Sequence, residues 1–326
     1  MAGGQERELR RRIRSVQSTK KITKAMELIA ASRIVRAQQR VAAARPYSER
    51  ITEVIRNLAA AGAGGDSPLL MEREQIGTVA YVVIGADRGL CGAYNSSVIR
   101  AAERSMQRQQ AEGRRTRLVT VGRKPTAYFR FRGWSIDRAF QGFTDQPRYG
   151  DARSIAEYVI EQFEGGEYDL VELVYTQFLS AASQRVAVRR FVPLDRSMIE
   201  EAAAAAPEGP RAGYEFEPDP QEILDRLLPR YAEARLYAAL LDGAASFLAA
   251  QQRAMKSATD NAEDLITRYS RAMNRARQDA ITTEIMEIVG GAEAMRAAKA
   301  NGGDLLVDHA LMSADVLTDS LNRSRA

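Results

Sequence analysis

The side chains best suited to catalysis or metal binding are scarce in this chain. It has one cysteine, Cys91, and one histidine, His309. One of each cannot complete a zinc site or supply a Cys-His or Ser-His-Asp centre on a central scaffold. Arg88 lies three residues before Cys91 and could favour its thiolate, although a buried neutral thiol is the simpler expectation. The composition therefore argues against hydrolases and metalloenzymes, and we expect no metal or cofactor.

A glycine-rich loop, IGADRGLCGAYN (84–95), follows a predicted strand and precedes a predicted helix. Loops in this position often bind phosphate. Its glycines, Gly85, Gly89 and Gly92, do not fit G-x-G-x-x-G, and no Gly-Lys-Ser/Thr follows. The pattern therefore favours a tight turn or a partner-contact loop over a nucleotide site.

Acidic residues near the C-terminus could suggest paired carboxylates for acid–base chemistry. Arginines alternate with them, however, and the segment reads as a helix rather than a cleft. A surface of salt bridges on a helix is the expected arrangement. The acidic residues are Asp260, Glu263, Asp264, Asp279, Glu284 and Glu287.

Two unusually long helices are predicted at the ends, over 5–45 and 230–289. No proline precedes Pro46 and none follows Pro229. A helix rises about 1.5 Å per residue, so about 60 residues would form a rod of roughly 90 Å. Such a rod must pair with another helix or lie inside a partner. Pro46 either kinks the first helix or begins a continuation of it.

Apolar spacing predicts that the two long helices pair with each other. The first has Leu9, Ile13 and Val16, then Ile22, Met26 and Ile29, and the six-residue step between the groups resembles a slip in a heptad seam. The last has steps of four and three through two runs. These are Ala258, Ala262, Leu265, Tyr269, Ala272 and Ala276, followed by Ile281, Ile285, Ile288 and Ala292.

The middle of the chain alternates strand and helix signals. The run TVAYVVIG (78–85) is typical of a strand buried on both faces of a parallel sheet. The predicted fold class is α/β plus a long antiparallel coiled coil, with two terminal helices flanking a Rossmann-like domain. Further strands are predicted at 117–122, 167–178 and 184–194, and helices at 93–111, 122–133 and 151–163.

Charge is unevenly distributed along the chain, whose formal net charge is +5. Residues 7–45 contain twelve Lys or Arg against two acids, whereas residues 200–225 contain eight acids against Arg211. So dense a positive segment indicates an acidic or polyanionic partner. A basic coiled-coil protein that binds nucleic acid is one alternative. An enzyme built on the α/β middle is a second.

Three motifs together resemble the gamma subunit family of F-type ATP synthases. IRSVQSTKKITKAMELIAAS (13–32) is similar to its N-terminal segment, DRGLCGAYN (87–95) to its central loop, and NRARQDAITTEIMEIVGGAEA (274–294) to its C-terminal signature. GYEFEPDP (213–220) and AMKSATDNAEDL (254–265) also fit. The resemblance covers about residues 5–294, with the motifs in the family's order.

The resemblance implies a rotor shaft without an active site of its own. Proton-driven rotation of the c-ring would turn the shaft and cycle the catalytic beta subunits through their conformations. The implied partners are the alpha and beta subunits of the hexamer, the epsilon subunit and the c-ring. One copy per complex is expected, peripheral to the cell membrane on its cytoplasmic side.

The resemblance also implies contact residues by motif position. Tyr214, Phe216 and Glu217 would meet the c-ring or epsilon. The contacts with beta subunits would come from Lys24, Met26, Arg88, Cys91, Arg277, Gln278, Thr282 and Glu284.

The chain departs from the family pattern in two places. Phe247 and Leu248 stand where the family has a polar cluster, and residues 295–326 extend past the family's usual end. We expect Gly302-Gly303 to break the helix, leaving a tail without a role or a regulatory segment. The predicted divisions are 1–60 (helix), 61–75 (linker), 76–199 (α/β domain), 200–222 (acidic connector), 223–294 (helix) and 295–326 (extension).

Overall fold

The computed structural model describes residues 2–60, 63, 67–194, 217 and 219–323, with side chains at all of these except 2, 3, 59, 60 and 300–323. Tyr214 and Phe216 lie outside the described residues. The chain divides into two units. Met1–Lys20 and Asp260–Ala326 form the helical unit, and Lys21–Thr259 forms the body unit.

The two terminal helices are much longer than the helices between them. Helix α1 spans Ala2–Ala60 and α5 spans Pro220–Arg323. The body unit also contains a 3₁₀ turn at Pro68–Leu70. The other elements, in chain order, are β1 Thr78–Ile84, α2 Tyr94–Ala111, β2 Arg115–Val121, α3 Arg123–Phe131, β3 Arg138–Phe140, α4 Tyr149–Glu164, β4 Leu170–Phe178 and β5 Gln184–Val192.

The five strands form one mixed sheet in the order β3-β2-β1-β4-β5. The first four strands are parallel, and β5 pairs antiparallel with β4. All seven residues of the central β1 are buried, which confirms the strand predicted from its continuous apolar run. The three-residue β3 was not predicted, because its sequence is too short and too polar to carry a strand signal.

Each face of the sheet packs against its own helices. Val79, Tyr81 and Val83 of β1 contact the layer of α2 and α3. Ala80, Val82 and Ile84 point the other way, toward a core shared by α4, the end of α1 and the start of α5. Alternate residues of a strand face opposite sides of the sheet, so a strand that is apolar at every position is buried on both faces. The α/β domain is therefore built on the two long helices.

The buried side of α1 differs from the predicted seam. Leu9, Ile13 and Val16 face inward as expected, but Ile22 and Ile29 are exposed. The inward positions after Val16 are Lys20, Thr23, Glu27, Ala30 and Ile34, in steps of three and four without a slip, and the predicted Met26 is half-buried beside Glu27. The predicted slip was wrong because Thr23 occupies a seam position, which an apolar pattern cannot identify.

Buried hydroxyls explain the polar seam position in the body unit. Thr23 and Thr259 share a hydrogen bond of 2.8 Å between their Oγ1 atoms, and Thr259 Oγ1 also donates to the Met255 carbonyl at 2.9 Å. Both threonines are buried. In the helical unit, Lys20 Nζ lies 3.0 Å from Glu263 Oε1. Ile34 of α1 packs with Phe247 of α5 in the body unit, and Arg12 lies beside Tyr269 in the helical unit, so α1 and α5 run antiparallel within each unit.

The seam of α5 in the helical unit also corrects the predicted register. Ala262, Tyr269 and Ala276 face inward as predicted, whereas Leu265 and Ala272 are exposed and Ile266 and Met273 are half-buried in their place. The whole second predicted run lies at exposed positions. These are Ile281, Ile285, Ile288 and Ala292.

Neither internal proline ends a long helix, and the glycine pair does not break the last one. Helix α1 contains Pro46 and α5 contains Pro229. Helix α5 continues through Gly302 and Gly303 to Arg323, so the predicted break was wrong. Glycine costs about 1 kcal/mol relative to alanine in a helix interior, which weakens a helix without forbidding it.

Candidate partner-binding surfaces

The loop between β1 and α2 is held by the carboxylate of Asp87. Asp87 Oδ2 accepts hydrogen bonds from the Gly142 and Thr144 main-chain N–H groups at 2.9 and 3.1 Å, and Oδ1 accepts from the Arg123 N–H at 3.0 Å. Thr144 Oγ1 donates to Oδ2 at 2.9 Å. Burial by itself raises the pKa of Asp87, but these hydrogen bonds outweigh it and leave the pKa below its usual value.

A second side chain, Asn95, fixes the loop from its other end. Its Oδ1 accepts from the Ala86 N–H at 2.9 Å, and its Nδ2 donates to the Arg88 carbonyl at 3.1 Å and to Cys91 Sγ at 3.2 Å. Neither Asn95 nor Asp87 was identified as a site residue from the sequence. The available signal was an acidic residue three positions after the end of a buried strand and an asparagine at the start of the following helix.

The loop exposes Arg88 and Leu90 and buries Cys91. Leu90 has a positive φ of 60°, a conformation that costs a non-glycine residue free energy and is more frequent at functional sites. Its side chain is 63% exposed. Arg88, also exposed, places Nε 3.2 Å from Asp145 Oδ2. The surface of the loop is therefore one cation beside one apolar side chain.

The Cys91 thiol is buried, which confirms the expectation of a buried thiol. Burial raises its pKa, and its contacts with Asn95 and the charge of Lys124 oppose that rise only in part. Phe247, Leu248 and Ala249 of α5 pack in the same cluster. Phe247 and Leu248 thus fill the space over the loop with apolar side chains.

Helix α5 also occupies the carboxyl ends of the central strands, where open α/β sheets usually bind ligands. The Tyr94 hydroxyl donates to the Gly243 carbonyl at 3.0 Å, and Ser246 Oγ donates to the Thr176 carbonyl at 3.2 Å. A cavity of about 410 Å³ remains there, lined partly by Cys91 and Arg253. Arg253 is held by the Ala181 carbonyl at 2.7 Å and by the Gln184 side chain.

The predicted contact residues of α1 lie on one exposed stretch of the body unit. Lys24 Nζ pairs with Glu27 Oε2 at 3.1 Å, and its side chain is 54% exposed. Met26 is half-buried. Leu28, Ile29 and Val35 are exposed on the same stretch of α1, which therefore carries apolar side chains among its cations.

The predicted contact residues of α5 in the helical unit are exposed. Arg277, Gln278, Thr282 and Glu284 all point outward. Large exposed apolar side chains follow them along the same helix: Ile281, Ile285, Met286, Ile288 and Val289. A surface this apolar is typical of an interface. Glu217, the described member of the third predicted set, is exposed as well.

The described residues contain neither a metal-binding cluster nor a membrane-spanning helix. No group of three or more His, Cys, Asp or Glu side chains could hold a metal ion. None of the described helices is both long and apolar enough to cross a membrane.

The fold is thus an α/β domain built on an antiparallel helix pair, one of whose helices packs across the carboxyl ends of the central strands. The model of the ATP synthase family matches residues 5–295. The ATP synthase gamma chain of Frankia casuarinae is 54% identical over 296 residues, which cover 90% of this chain and 98% of that one. The gamma chain of Mycolicibacterium smegmatis is 47% identical over 307 residues, 90% of this chain and 98% of that one.

Solved structures share the fold. A chain of the Euglena gracilis mitochondrial ATP synthase OSCP/F1/c-ring structure aligns with a TM-score of 0.63 at 20% identity, covering 91% of this chain and 96% of that one. A chain of the Tetrahymena thermophila central stalk and c-ring aligns with a TM-score of 0.53 at 24% identity, over 73% of this chain and 99% of that one. The chain belongs to the ATP synthase gamma chain family.

Proposed function

We propose that this chain is the rotating central-stalk subunit of a proton-translocating F-type ATP synthase. It connects a c-ring and an epsilon subunit to a hexamer of alpha and beta subunits, with one copy in each complex. The observation that carries this proposal is the 54% identity to a gamma chain over almost the whole of that relative. The c-ring would supply rotation, and the beta subunits would make ATP.

The proposed mechanism depends on asymmetry rather than on chemistry in this chain. A shaft that presents different side chains on different sides gives each catalytic subunit a different contact. A partner can shift a conformational equilibrium only by its differential affinity for the conformers. Rotation of the shaft would therefore cycle each beta subunit through binding, synthesis and release.

The chain itself would be non-catalytic. Its crevice at the strand ends is covered by α5 through Tyr94 and Ser246, and its single cysteine is buried with a raised pKa. The protein would lie at the cell membrane only through its complex, on the cytoplasmic side.

We assign three surfaces of the chain to partners in this proposal. Exposed side chains of α1 and of the β1–α2 loop would contact beta-subunit loops, and the outward side chains of α5 would contact a beta-subunit loop elsewhere on the shaft. Cys91 would act from inside the loop, supporting the main chain that carries Arg88. Tyr214, Phe216 and Glu217 would contact the c-ring or epsilon. The beta-subunit set is Lys24, Met26, Arg88, Cys91, Arg277, Gln278, Thr282 and Glu284.

A tagged chain purified from membranes tests the proposal directly. It should co-purify with alpha, beta and epsilon subunits and with ATPase activity, whereas the isolated chain should hydrolyse no ATP. Recovery of the chain with nucleic acid instead, in binding that weakens steeply with salt, would support the basic coiled-coil alternative. Turnover by the isolated chain would support the enzyme alternative.

The α5 contact can be tested in the same purified complex. Arg277→Ala should lower the rate of ATP synthesis roughly five-fold, the effect of losing about 1 kcal/mol of interaction. Arg268→Ala is a matched control, because Arg268 is also exposed on α5 and nine residues away, on about the opposite side of a helix. Equal losses in both variants would argue against the assignment of Arg277.

A further inference from the structure

A cavity of about 530 Å³ opens in the body unit where α1, α4 and α5 meet. Its floor is made of alanines: Ala43 and Ala44 from α1, and Ala234 and Ala238 from α5. Longer side chains would close the gap between the two helices at these positions. Ligand pockets typically measure about 300–1,000 Å³, so the space is of a size for a small organic molecule.

Three tyrosines form the wall of this cavity, which we call the tyrosine pocket. The rings of Tyr47 and Tyr149 meet at 90° with centroids 6.3 Å apart, and those of Tyr149 and Tyr237 meet at 72° with centroids 5.6 Å apart. Rings packed edge to face hold one another in place and leave ring faces and edges for a further aromatic group. The pocket is therefore shaped for a planar ring.

The charge at the pocket comes from Arg230. Its Nη1 donates to both carboxylate oxygens of Glu233, at 3.3 and 3.1 Å. Among the described residues, Nε and Nη2 of Arg230 have no ion-pair or hydrogen-bond partner, and the side chain is 47% exposed. The Tyr149 hydroxyl is buried and lies near the Glu233 carboxylate and the Tyr47 hydroxyl. The donors that the pocket offers to a ligand are therefore Nε and Nη2 of Arg230.

We propose that the tyrosine pocket binds a planar aromatic anion, an aryl carboxylate or sulfonate of one or two fused rings. The ring would lie on the alanine floor against the tyrosines, and the anionic group would accept hydrogen bonds from Nε and Nη2 of Arg230. Arginine presents such donors in a planar fork that matches a carboxylate.

The arrangement of Glu233 selects an anion over a cation. Tyrosine rings also attract cations, but a cationic ligand would need the Glu233 carboxylate, which is almost fully buried and already paired with Arg230. The nearby Arg153 pairs with Glu157 at 2.6 Å. One available guanidinium edge suits a single negative charge better than a polyphosphate.

Isothermal titration of the full chain with 2-naphthoate tests the proposal, with 2-naphthylmethylammonium as the cation of similar shape. Naphthoate should bind with one-to-one stoichiometry and at least ten-fold more tightly than the ammonium compound. It should also raise the temperature of unfolding, because a ligand that binds only the folded state stabilises it. Equal binding of both compounds, or no binding of either, would overturn the proposal.

Substitutions locate the binding. Ala44→Leu fills the floor and should abolish naphthoate binding, whereas Ala42→Leu, at an exposed α1 position outside the lining, should leave it unchanged. Arg230→Gln should weaken binding at least ten-fold, and Arg230→Lys should weaken it less. If Ala44→Leu fails to fold, the Arg230 variants and the comparison with the ammonium compound still test whether the pocket binds the anion. Binding that survives both Ala44→Leu and Arg230→Gln lies elsewhere on the chain and refutes the site.

Discussion

Asp87 and Asp242 are two partly buried carboxylates whose surroundings act on them in opposite ways. Asp87 accepts four hydrogen bonds, which stabilise its charged form. Asp242 lies beside α1 and β4, where burial outweighs a hydrogen bond from the Phe178 main chain and the charges of Arg45 and Arg189, raising its pKa to about 6. The same side-chain chemistry therefore stabilises the fold in different pH ranges.

Replacing Asp87 should destabilise the body unit. In Asp87→Asn the amide nitrogen would face main-chain N–H donors, so we expect a loss of about 1–3 kcal/mol in the free energy of unfolding. Because the folded pKa lies below the unfolded value of 3.8, the stabilisation is present above that value and is lost as pH falls through the folded pKa. Urea unfolding at several pH values measures both effects.

The Asp87 prediction has a simple control. Asp260→Asn changes an exposed carboxylate for which the structure gives no hydrogen bond or ion pair, and it should change stability by less than about 0.5 kcal/mol. If Asp87→Asn were equally mild, the hydrogen bonds to Asp87 would not be what fixes the loop.

Asp242→Asn should have the opposite effect. The folded pKa of about 6 exceeds the unfolded value of 3.8, so the carboxyl group contributes stability below pH 3.8 that is lost as pH rises to about 6. The amide can still accept the Phe178 hydrogen bond, and we expect a gain of about 1–2 kcal/mol at neutral pH. A variant that is no more stable than the parent at pH 7 would contradict this.

At the level of elements, the long helices pair through a seam that includes polar residues. Thr23 and Thr259 form a hydroxyl pair in the body unit, and Ala30 is fully buried a turn or two away. Small residues let the helix backbones approach, and a buried hydrogen bond is satisfied only when both partners are in register. The hydroxyl pair thus favours one alignment of α1 against α5.

A double-mutant cycle tests the threonine pair. Thr23→Val and Thr259→Val should each cost about 1 kcal/mol, but the double variant should cost less than the sum, because either single substitution already removes the hydrogen bond that the two hydroxyls share. Thr19→Val, at an exposed α1 position, is the control. Strictly additive losses, measured by urea unfolding, would show that the hydroxyls do not depend on each other.

For the whole molecule, the C-terminal extension is the part that family membership does not explain. The family match ends at residue 295, whereas α5 continues to Arg323. The alignments with the two gamma chains span 98% of each relative but only 90% of this chain. We therefore propose that the extension takes no part in the function those relatives share and is either a tail without a role or a regulatory segment.

Deleting residues 296–326 tests whether the extension is regulatory. The truncated chain should still co-purify with alpha and beta subunits, because the matched region is intact. If the extension is regulatory, the rate of ATP hydrolysis or synthesis by the purified complex should change at least two-fold. Unchanged rates would refute a regulatory role, and failed assembly would show that the extension is structural.

Sequence by itself determined the main elements of this protein and its family. The alternation of apolar runs and turn residues gave β1, β2, β4 and the helices between them, because period and length report secondary structure directly. Three separated motifs in one order identified the family. The predicted antiparallel pairing of the long helices was also correct, since each had no other helix of comparable length.

Only the tertiary structure decided which side of each helix faces its partner and which loop atoms are buried. Apolar spacing placed Ile22 and Ile29 in the seam, whereas the folded chain buries Thr23 and Ala30. It also exposes Leu90, buries Cys91 beneath Phe247 and Leu248, and brings three distant tyrosines to one pocket. These features depend on a hydrogen-bond partner or packing surface far away in the sequence, and the local periodicity of apolar residues does not identify that partner.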